Sequence, residues 1–283
     1  MKEKYVYKKP ENGYPEWNNN PEIFQLNRLP ARANYISYSS VEEALSTPKR
    51  EARTYLSLNG KWKFSFSERP ADRNLEFYKN DYDCSKWDEI TVPAHWQLEG
   101  YDYPQYRNAG YPWTDHDQIK APFAPTNYNP VGQYVTYFTV PQDWENQPVK
   151  ISFQGVESAF YVWVNGDFVG YSEDTFTPSD FDLTPYLISG ENKLAVEVYR
   201  WSDASWLEDQ DFWRLSGIFR DVYLYTHPIV HIADFFVVGD LINDYVDGLL
   251  KVKTTIANAL NKPLGNLQLE VKCFDDKKKE ILS

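Results

Sequence analysis

The greatest chemical capacity in this sequence lies in the run Arg200-Trp201-Ser202-Asp203-Ala204-Ser205-Trp206-Leu207-Glu208-Asp209-Gln210-Asp211-Phe212-Trp213. Its four carboxylates are interleaved with three tryptophans. Carboxylates accept hydrogen bonds from sugar hydroxyls or hold a cation, and indole rings provide flat apolar walls beside them. The run fails as an EF-hand loop, because Ser205 and Leu207 occupy the alternate positions after Asp203 and no glycine follows. Spacing alone favours a plainer reading, a solvated loop whose aspartates make Asx-turns.

A second run, Tyr101-Asp102-Tyr103-Pro104-Gln105-Tyr106-Arg107-Asn108-Ala109-Gly110-Tyr111-Pro112-Trp113, sets amide and hydroxyl groups among rings. Asn108 can both donate to and accept from a hydroxyl, which suits a sugar. Composition favours a proline-ordered loop packed on its scaffold. Of the histidines His95, His116, His227 and His231, only the last two are near neighbours. Pro228 and the β-branched residues after it indicate a strand or linker, which argues against a helical metal pair. The sequence contains no GxSxG elbow, P-loop or GxGxxG.

Something must position these two loops, and the surrounding pattern has period two. Trp62, Phe64 and Phe66 share one face of a strand, opposite Lys61, Lys63, Ser65 and Ser67. Short alternating segments recur at 134–140, 149–153, 160–164, 168–171, 194–199 and 218–225, each bounded by turn residues. Asn165-Gly166 between two of them is the type I′ hairpin signal, since both positions need positive φ. These segments predict an all-β, jelly-roll β-sandwich over 55–227. Before it, residues 1–54 are rich in proline and asparagine and read as an extended amino-terminal arm. The arm has one short helical signal, a capping box at Ser40-Val41-Glu42-Glu43. After the His227-Pro228 junction, strands are predicted at 232–238, 250–257 and 267–274. Three strands do not complete an immunoglobulin-like sandwich, so residues 228–283 read as the start of one, truncated.

The totals exclude several classes. A formal net charge of -12 lacks the basic footprint needed for nucleic acid or an anionic membrane surface. Cys84 and Cys273 belong to no CxxC pair, so neither a disulfide framework nor a zinc site is implied. No apolar run has the length of a signal peptide or a membrane span, and the expected location is the cytoplasm.

Several runs, read in order, closely resemble the amino-terminal region of bacterial β-galactosidases of glycoside hydrolase family 2. They are Gln25-Leu26-Asn27-Arg28-Leu29, Leu58-Asn59-Gly60-Lys61-Trp62-Lys63-Phe64, Trp96-Gln97-Leu98-Glu99-Gly100-Tyr101-Asp102, Gly155-Val156-Glu157-Ser158-Ala159-Phe160, the run from Arg200, and Arg214-Leu215-Ser216-Gly217-Ile218-Phe219-Arg220-Asp221-Val222. The resemblance extends from about residue 15 through nearly the whole chain.

The resemblance implies a galactose-binding-like jelly roll followed by an incomplete immunoglobulin-like β-sandwich. In that family a TIM barrel carries the two catalytic glutamates, which retain configuration through a covalent intermediate. This sequence has no Asn-Glu dipeptide of the acid/base type and no convincing acid and nucleophile pair. The expectation is therefore an amino-terminal fragment without catalytic residues of its own, inactive alone, from an enzyme that hydrolyses terminal β-D-galactose residues. Asn108 corresponds to an amide that hydrogen-bonds the galactoside. Asp203 corresponds to a carboxylate that contacts the sugar and helps bind sodium, and magnesium is expected in the absent barrel. The arm implies a homo-oligomer of the complete enzyme. Ala204 and Trp206 depart from the glycine and tyrosine common in the family but leave Asp203 in register.

Two other readings stand beside this one. A stand-alone carbohydrate-binding module would leave the second domain with an exposed apolar face and an open edge. A β-glucuronidase or β-mannosidase fragment shares the domain order, but a uronic acid would sit poorly beside four carboxylates.

Overall fold

The computed structural model describes residues 3–208, 211–260 and 262–282. It is nearly all β, with one short α-helix among the described residues, α1 (Val41–Ser46). Ser40 caps that helix by accepting from the Glu43 N–H at 3.1 Å. In chain order the strands of the first unit are β1 (Gln25–Leu26), β2 (Tyr55–Ser57), β3 (Gly60–Ser67), β4 (Asp88–Val92), β5 (Gln105–Arg107), β6 (Val131–Thr139), β7 (Val149–Phe153) and β8 (Val156–Glu157). They continue with β9 (Ala159–Val164), β10 (Asp167–Ser172), β11 (Ser179–Asp182), β12 (Glu191–Tyr199), β13 (Phe212–Arg214), β14 (Gly217–Ile218) and β15 (Val222–Thr226).

Two sheets form the sandwich. One has the order β1-β10-β9-β12-β6-β3-β4 and the other β11-β7-β15-β2. Every pairing in the larger sheet is antiparallel. Asn165 and Gly166 turn β9 into β10 with φ of 53° and 84°, as a type I′ turn requires. The main core is one apolar cluster that includes Trp62, Phe64, Ile90, Trp96, Tyr134, Phe153, Phe160 and Phe181. At Gly132 an added Cβ would come within 2.7 Å of the Trp96 ring, so only glycine lets that indole lie against β6.

Alternation in β12 predicts one wet face, and the structure covers both. Leu194, Val196 and Val198 enter the main core. On the opposite side, Tyr199 joins a second cluster with Trp17, Tyr161 and Tyr171. Buried Glu197 between them accepts from Arg73, Gln133 and Tyr199 at 2.7–3.1 Å, which satisfies the charge. Lys193 is likewise buried, and its ammonium caps the carbonyl oxygens of Phe77, Lys79 and Tyr82. Burial pushes that amine below its ordinary pKa.

The expected arm, residues 1–54, is divided between two compact units, its first part up to Ala31 belonging to the sandwich and its second, from Arg32, to the other unit. Within the sandwich, Trp17 stacks on Tyr199 with centroids 4.7 Å apart, and β1 adds an edge strand beside β10.

The second unit holds a long antiparallel hairpin, β16 (Val230–Ile242) and β17 (Asp247–Asn258), and a small pair, β18 (Cys273–Phe274) and β19 (Glu280–Leu282). Residues 32–35 run beside β16. Ala33 N–H donates to Asp234 at 2.8 Å, and Tyr35 packs on Phe235 with centroids 5.5 Å apart. The strand predicted at 267–274 is reduced to Cys273–Phe274. Leu267, Leu269 and Val271 keep their alternation but are exposed, with no paired strand among the described residues. A strand persists only where a neighbour takes up its backbone groups, and pattern alone does not supply one.

Candidate functional site

The two ring-rich loops, about 100 residues apart in sequence, are interlocked. A two-stranded ribbon joins them, with β5 antiparallel to β13 and register Arg107↔Phe212, Tyr106↔Trp213, Gln105↔Arg214. Rings lock the other end. Trp206 meets Tyr111 and Trp113 edge-on at 4.2 and 4.9 Å, Trp113 meets Trp201 at 5.8 Å, and the Trp206 indole N–H donates to the Phe123 carbonyl at 2.9 Å. Such edge-to-face pairs add to the area they bury.

Asp102 is the hub between the loops. Its side chain is wholly buried in an ion pair with the equally buried Arg200. It also accepts from Gln97 at 3.0 Å, from Tyr128 and, weakly, from the Trp96 indole at 3.4 Å. Burial and this bond push the Tyr128 hydroxyl well above its ordinary pKa. A buried pair is best tolerated when the remaining hydrogen-bonding groups are met; Asp102 meets that condition, while the Arg200 Nε is buried without a hydrogen-bond partner. Asn129 does similar work on backbone, accepting from Trp201 N–H at 2.9 Å and donating to the Trp201 carbonyl at 3.0 Å.

These ties fix Asp203. Residues Asp203–Trp206 form a 3₁₀ turn capped reciprocally by Ser202 and Ser205. The Asp203 N–H donates to the Trp17 carbonyl at 2.9 Å, and its Oδ2 accepts from Asn20 N–H at 2.6 Å. Its Oδ1 is buried and meets no amide or hydroxyl donor, and the carboxyl shares a hydrogen bond with the Glu173 carboxyl. Asp203 is 3% exposed, so the solvated Asx-turn that spacing favours is corrected here: the loop folds inward because the rings around it need covering. Burial pushes its carboxyl upward, countered in part by the Asn20 amide. Glu173 lies against it, accepts from Tyr171 and is pushed far above the carboxylate range, first by burial and then by the Asp203 charge.

The other carboxylates of the run separate. Glu208 accepts from both the N–H and the hydroxyl of Thr175, at 2.9 and 2.8 Å, and so ties down that turn. Asp211 is exposed and takes the Tyr106 hydroxyl at 2.7 Å. Asp209 falls outside the described residues. Glu157, buried near Glu208, Arg200 and Arg214, is pushed up to about 8, mainly by burial and then by Glu208. The gap among Glu157, Glu208, Arg200 and Arg214 is about 10 Å³. That is about the room of one water and far below a sugar pocket. A saccharide does not fit in this gap.

Asn108 is exposed, just after β5. The structure thus brings its loop to the loop of Asp203, while no hydrogen bond joins the two side chains. Sequence reasoning missed Asp102, Asn129 and Glu173 as organisers, because long-range partners leave no local period. Among the described residues there is no group of three or more His, Cys, Asp or Glu side chains arranged for a metal. His227 and His231 stack with centroids 3.4 Å apart. Among the described residues no helix is long and apolar enough to cross a membrane.

The site is thus an antiparallel jelly roll that presents two interlocked loops of carboxylates and tryptophans. Residues 55–228 match the family described as glycosyl hydrolases family 2, sugar binding domain, and the chain belongs to that family. Across 279 residues, 99% of this chain, it is 59% identical to a β-galactosidase of Priestia megaterium, and it covers 27% of that protein. A β-galactosidase of Halalkalibacterium halodurans is 52% identical over 246 residues, which are 87% of this chain and 24% of that protein. The chain thus spans about a quarter of the length of these curated relatives. Among solved structures, an uncultured Clostridium sp. β-glucuronidase superposes with a TM-score of 0.55 at 19% identity, covering 80% of this chain and 36% of that one. At that identity the likeness is one of fold.

Proposed function

We propose that this chain is the amino-terminal, loop-bearing region of a β-galactosidase, which hydrolyses terminal non-reducing β-D-galactose residues in galactosides such as lactose. The observation that carries the reading is 59% identity sustained over 99% of the chain. The acid/base and nucleophile are assigned to a barrel outside this chain, with magnesium there, so this chain alone is inactive. Its contribution is substrate positioning. Asn108 offers an exposed amide to the sugar, and Asp203 offers Oδ1, since Oδ2 is occupied by the Asn20 N–H.

The buried Oδ1, which meets no amide or hydroxyl donor and has the Glu173 carboxyl beside it, fits a monovalent cation such as sodium. Asp203 is then one ligand among backbone and water oxygens, and a nearby positive charge favours its ionised form against burial. A carboxylate held between cation and hydroxyl fixes the orientation of the sugar and lowers the barrier by positioning. Residues 228–283 are the opening strands of an immunoglobulin-like domain, residues 1–54 contribute to homo-oligomer contacts, and the enzyme is cytoplasmic.

The test is galactoside hydrolysis by the native polypeptide that carries this chain, with Asp203→Asn and Asp203→Ala compared over a sodium titration. We expect kcat/KM to fall about 100-fold or more and the sodium response to vanish. Full activity with intact sodium dependence in Asp203→Ala would sink the assignment of Asp203, and a native polypeptide without galactosidase activity would sink the whole reading.

A further inference from the structure

Two buried groups of the first unit are left with incomplete hydrogen bonding, and they face one gap. Glu157 stands in β8, 8% exposed, and among the described residues no amide or side chain donates to its carboxyl. Beyond burial itself, its neighbours act on it by charge alone, Glu208 first and then Arg200 and Arg214. Arg200 has the matching deficit. Its side chain is wholly buried, Nη1 pairs with Asp102 and Nη2 reaches Gln105 at 3.5 Å, but Nε has no partner. Both residues line the gap of about 10 Å³, and Glu208 forms part of its wall. Buried polar groups in native proteins are met by protein or by ordered water, because leaving them unpaired costs their full desolvation.

We propose that this gap is the binding site of one ordered water, which accepts from the Arg200 Nε–H and the Glu157 carboxyl and donates to Glu208. Size, bonding capacity and charge agree on that ligand. A water needs roughly 10–15 Å³ and two to four polar partners, and Arg200, Glu157 and Glu208 supply them. Glu208 gives one lone pair of each oxygen to Thr175 and keeps another on each. The charges around the gap cancel. Asp102 balances Arg200, Arg214 acts on Glu208, and Glu157, pushed up to about 8, is protonated at neutral pH. A halide or a metal cation would bring an uncompensated buried charge, whereas water brings none.

Such a water joins three parts of the sandwich. Arg200 is tied through Asp102 to the first loop, Glu208 belongs to the second and holds the turn of Thr175, and Glu157 belongs to β8. The water is thus a further tie between the loops that carry Asn108 and Asp203, and it does not depend on the galactosidase reading.

The experiment is a crystal structure of the native polypeptide that carries this chain, at a resolution that shows ordered waters. We expect one spherical density peak about 2.6–3.2 Å from Arg200 Nε, from a Glu157 carboxyl oxygen and from a Glu208 carboxyl oxygen. Crystals soaked in bromide, and others with rubidium in place of sodium, should show no anomalous signal there. The peak should remain in Glu157→Gln, which keeps a hydrogen-bonding group, and vanish in Glu157→Leu. Amide hydrogen exchange of the segment 200–208 in the same polypeptide should speed up about tenfold in Glu157→Leu and stay near the parent in Glu157→Gln. Absence of density at that point, density belonging to another part of the polypeptide, an anomalous signal, a peak that survives Glu157→Leu, or unchanged exchange in that variant would overturn the site. The density of the unaltered protein decides by itself if Glu157→Leu fails to fold.

Discussion

The loops at 94–130 and 200–216 have almost no regular secondary structure, and their anchoring side chains are buried. The β16–β17 hairpin is the opposite: twelve residue pairs with a single register shift between Ile232 and Asp234, yet Phe236, Val237 and Leu241 stand largely exposed. Regularity and stability are thus separate properties. A loop becomes rigid when its polar groups find buried partners, and a ladder stays marginal until one face is covered.

Breaking the anchoring of the loops should have the largest effect. Asp102→Ala leaves the Arg200 guanidinium buried without its counter-charge and should cost the sandwich ~3–5 kcal/mol in urea unfolding. A cost under ~1 kcal/mol would show that the two loops are held by their rings instead.

The second test reverses sign. Glu157 holds its proton in the fold up to about pH 8, whereas the unfolded carboxyl releases it near 4.5. Between those values the unfolded state loses a proton that the folded state keeps, so the native group lowers stability as pH rises through that window. Glu157→Gln should therefore gain on the parent across pH 4.5 to 8, by an amount on the order of a few kcal/mol, and level off above it. Parallel melting curves across that range would refute the burial argument.

Asn129→Ala should cost ~1–3 kcal/mol, because the Trp201 N–H and carbonyl lose their buried partner. Hydrogen exchange at Trp201 should accelerate with it. On the hairpin, Phe236→Thr should change stability by less than ~0.5 kcal/mol in this chain, since that ring is 65% exposed. A large loss there would mean that the hairpin face is covered in solution, which would collapse the contrast between the two regions.

Much of the sandwich was legible in the sequence because period two survives wherever one face meets the core. The segment 149–153 coincides with β7, and Asn165-Gly166 marks the β9–β10 hairpin. The segment 218–225 was less legible. It divides into β14 and β15 around Phe219-Arg220-Asp221, where Gln154 N–H bonds to the Asp221 carbonyl. Strand β4 was not foreseen, since its Asp88-Glu89 opening looks like loop. For the site, composition marked both loops, and family resemblance, not spacing, singled out Asp203 and Asn108. The burial of Asp203 was illegible because it depends on Trp17 and Asn20, more than 180 residues away.

The fit of Trp96 against Gly132 has an evolutionary corollary. The indole and the Phe64 ring, 2.7 and 2.9 Å from an added Cβ, occupy the volume that any side chain at 132 would need, so position 132 is free to vary only together with 96 and 64. Among homologous sequences, a residue larger than glycine at 132 should appear only beside smaller residues at 96 and 64. A lineage that crosses between the two states has to pass through the combination of glycine with the smaller residues, which leaves a void, because the reverse order creates a clash.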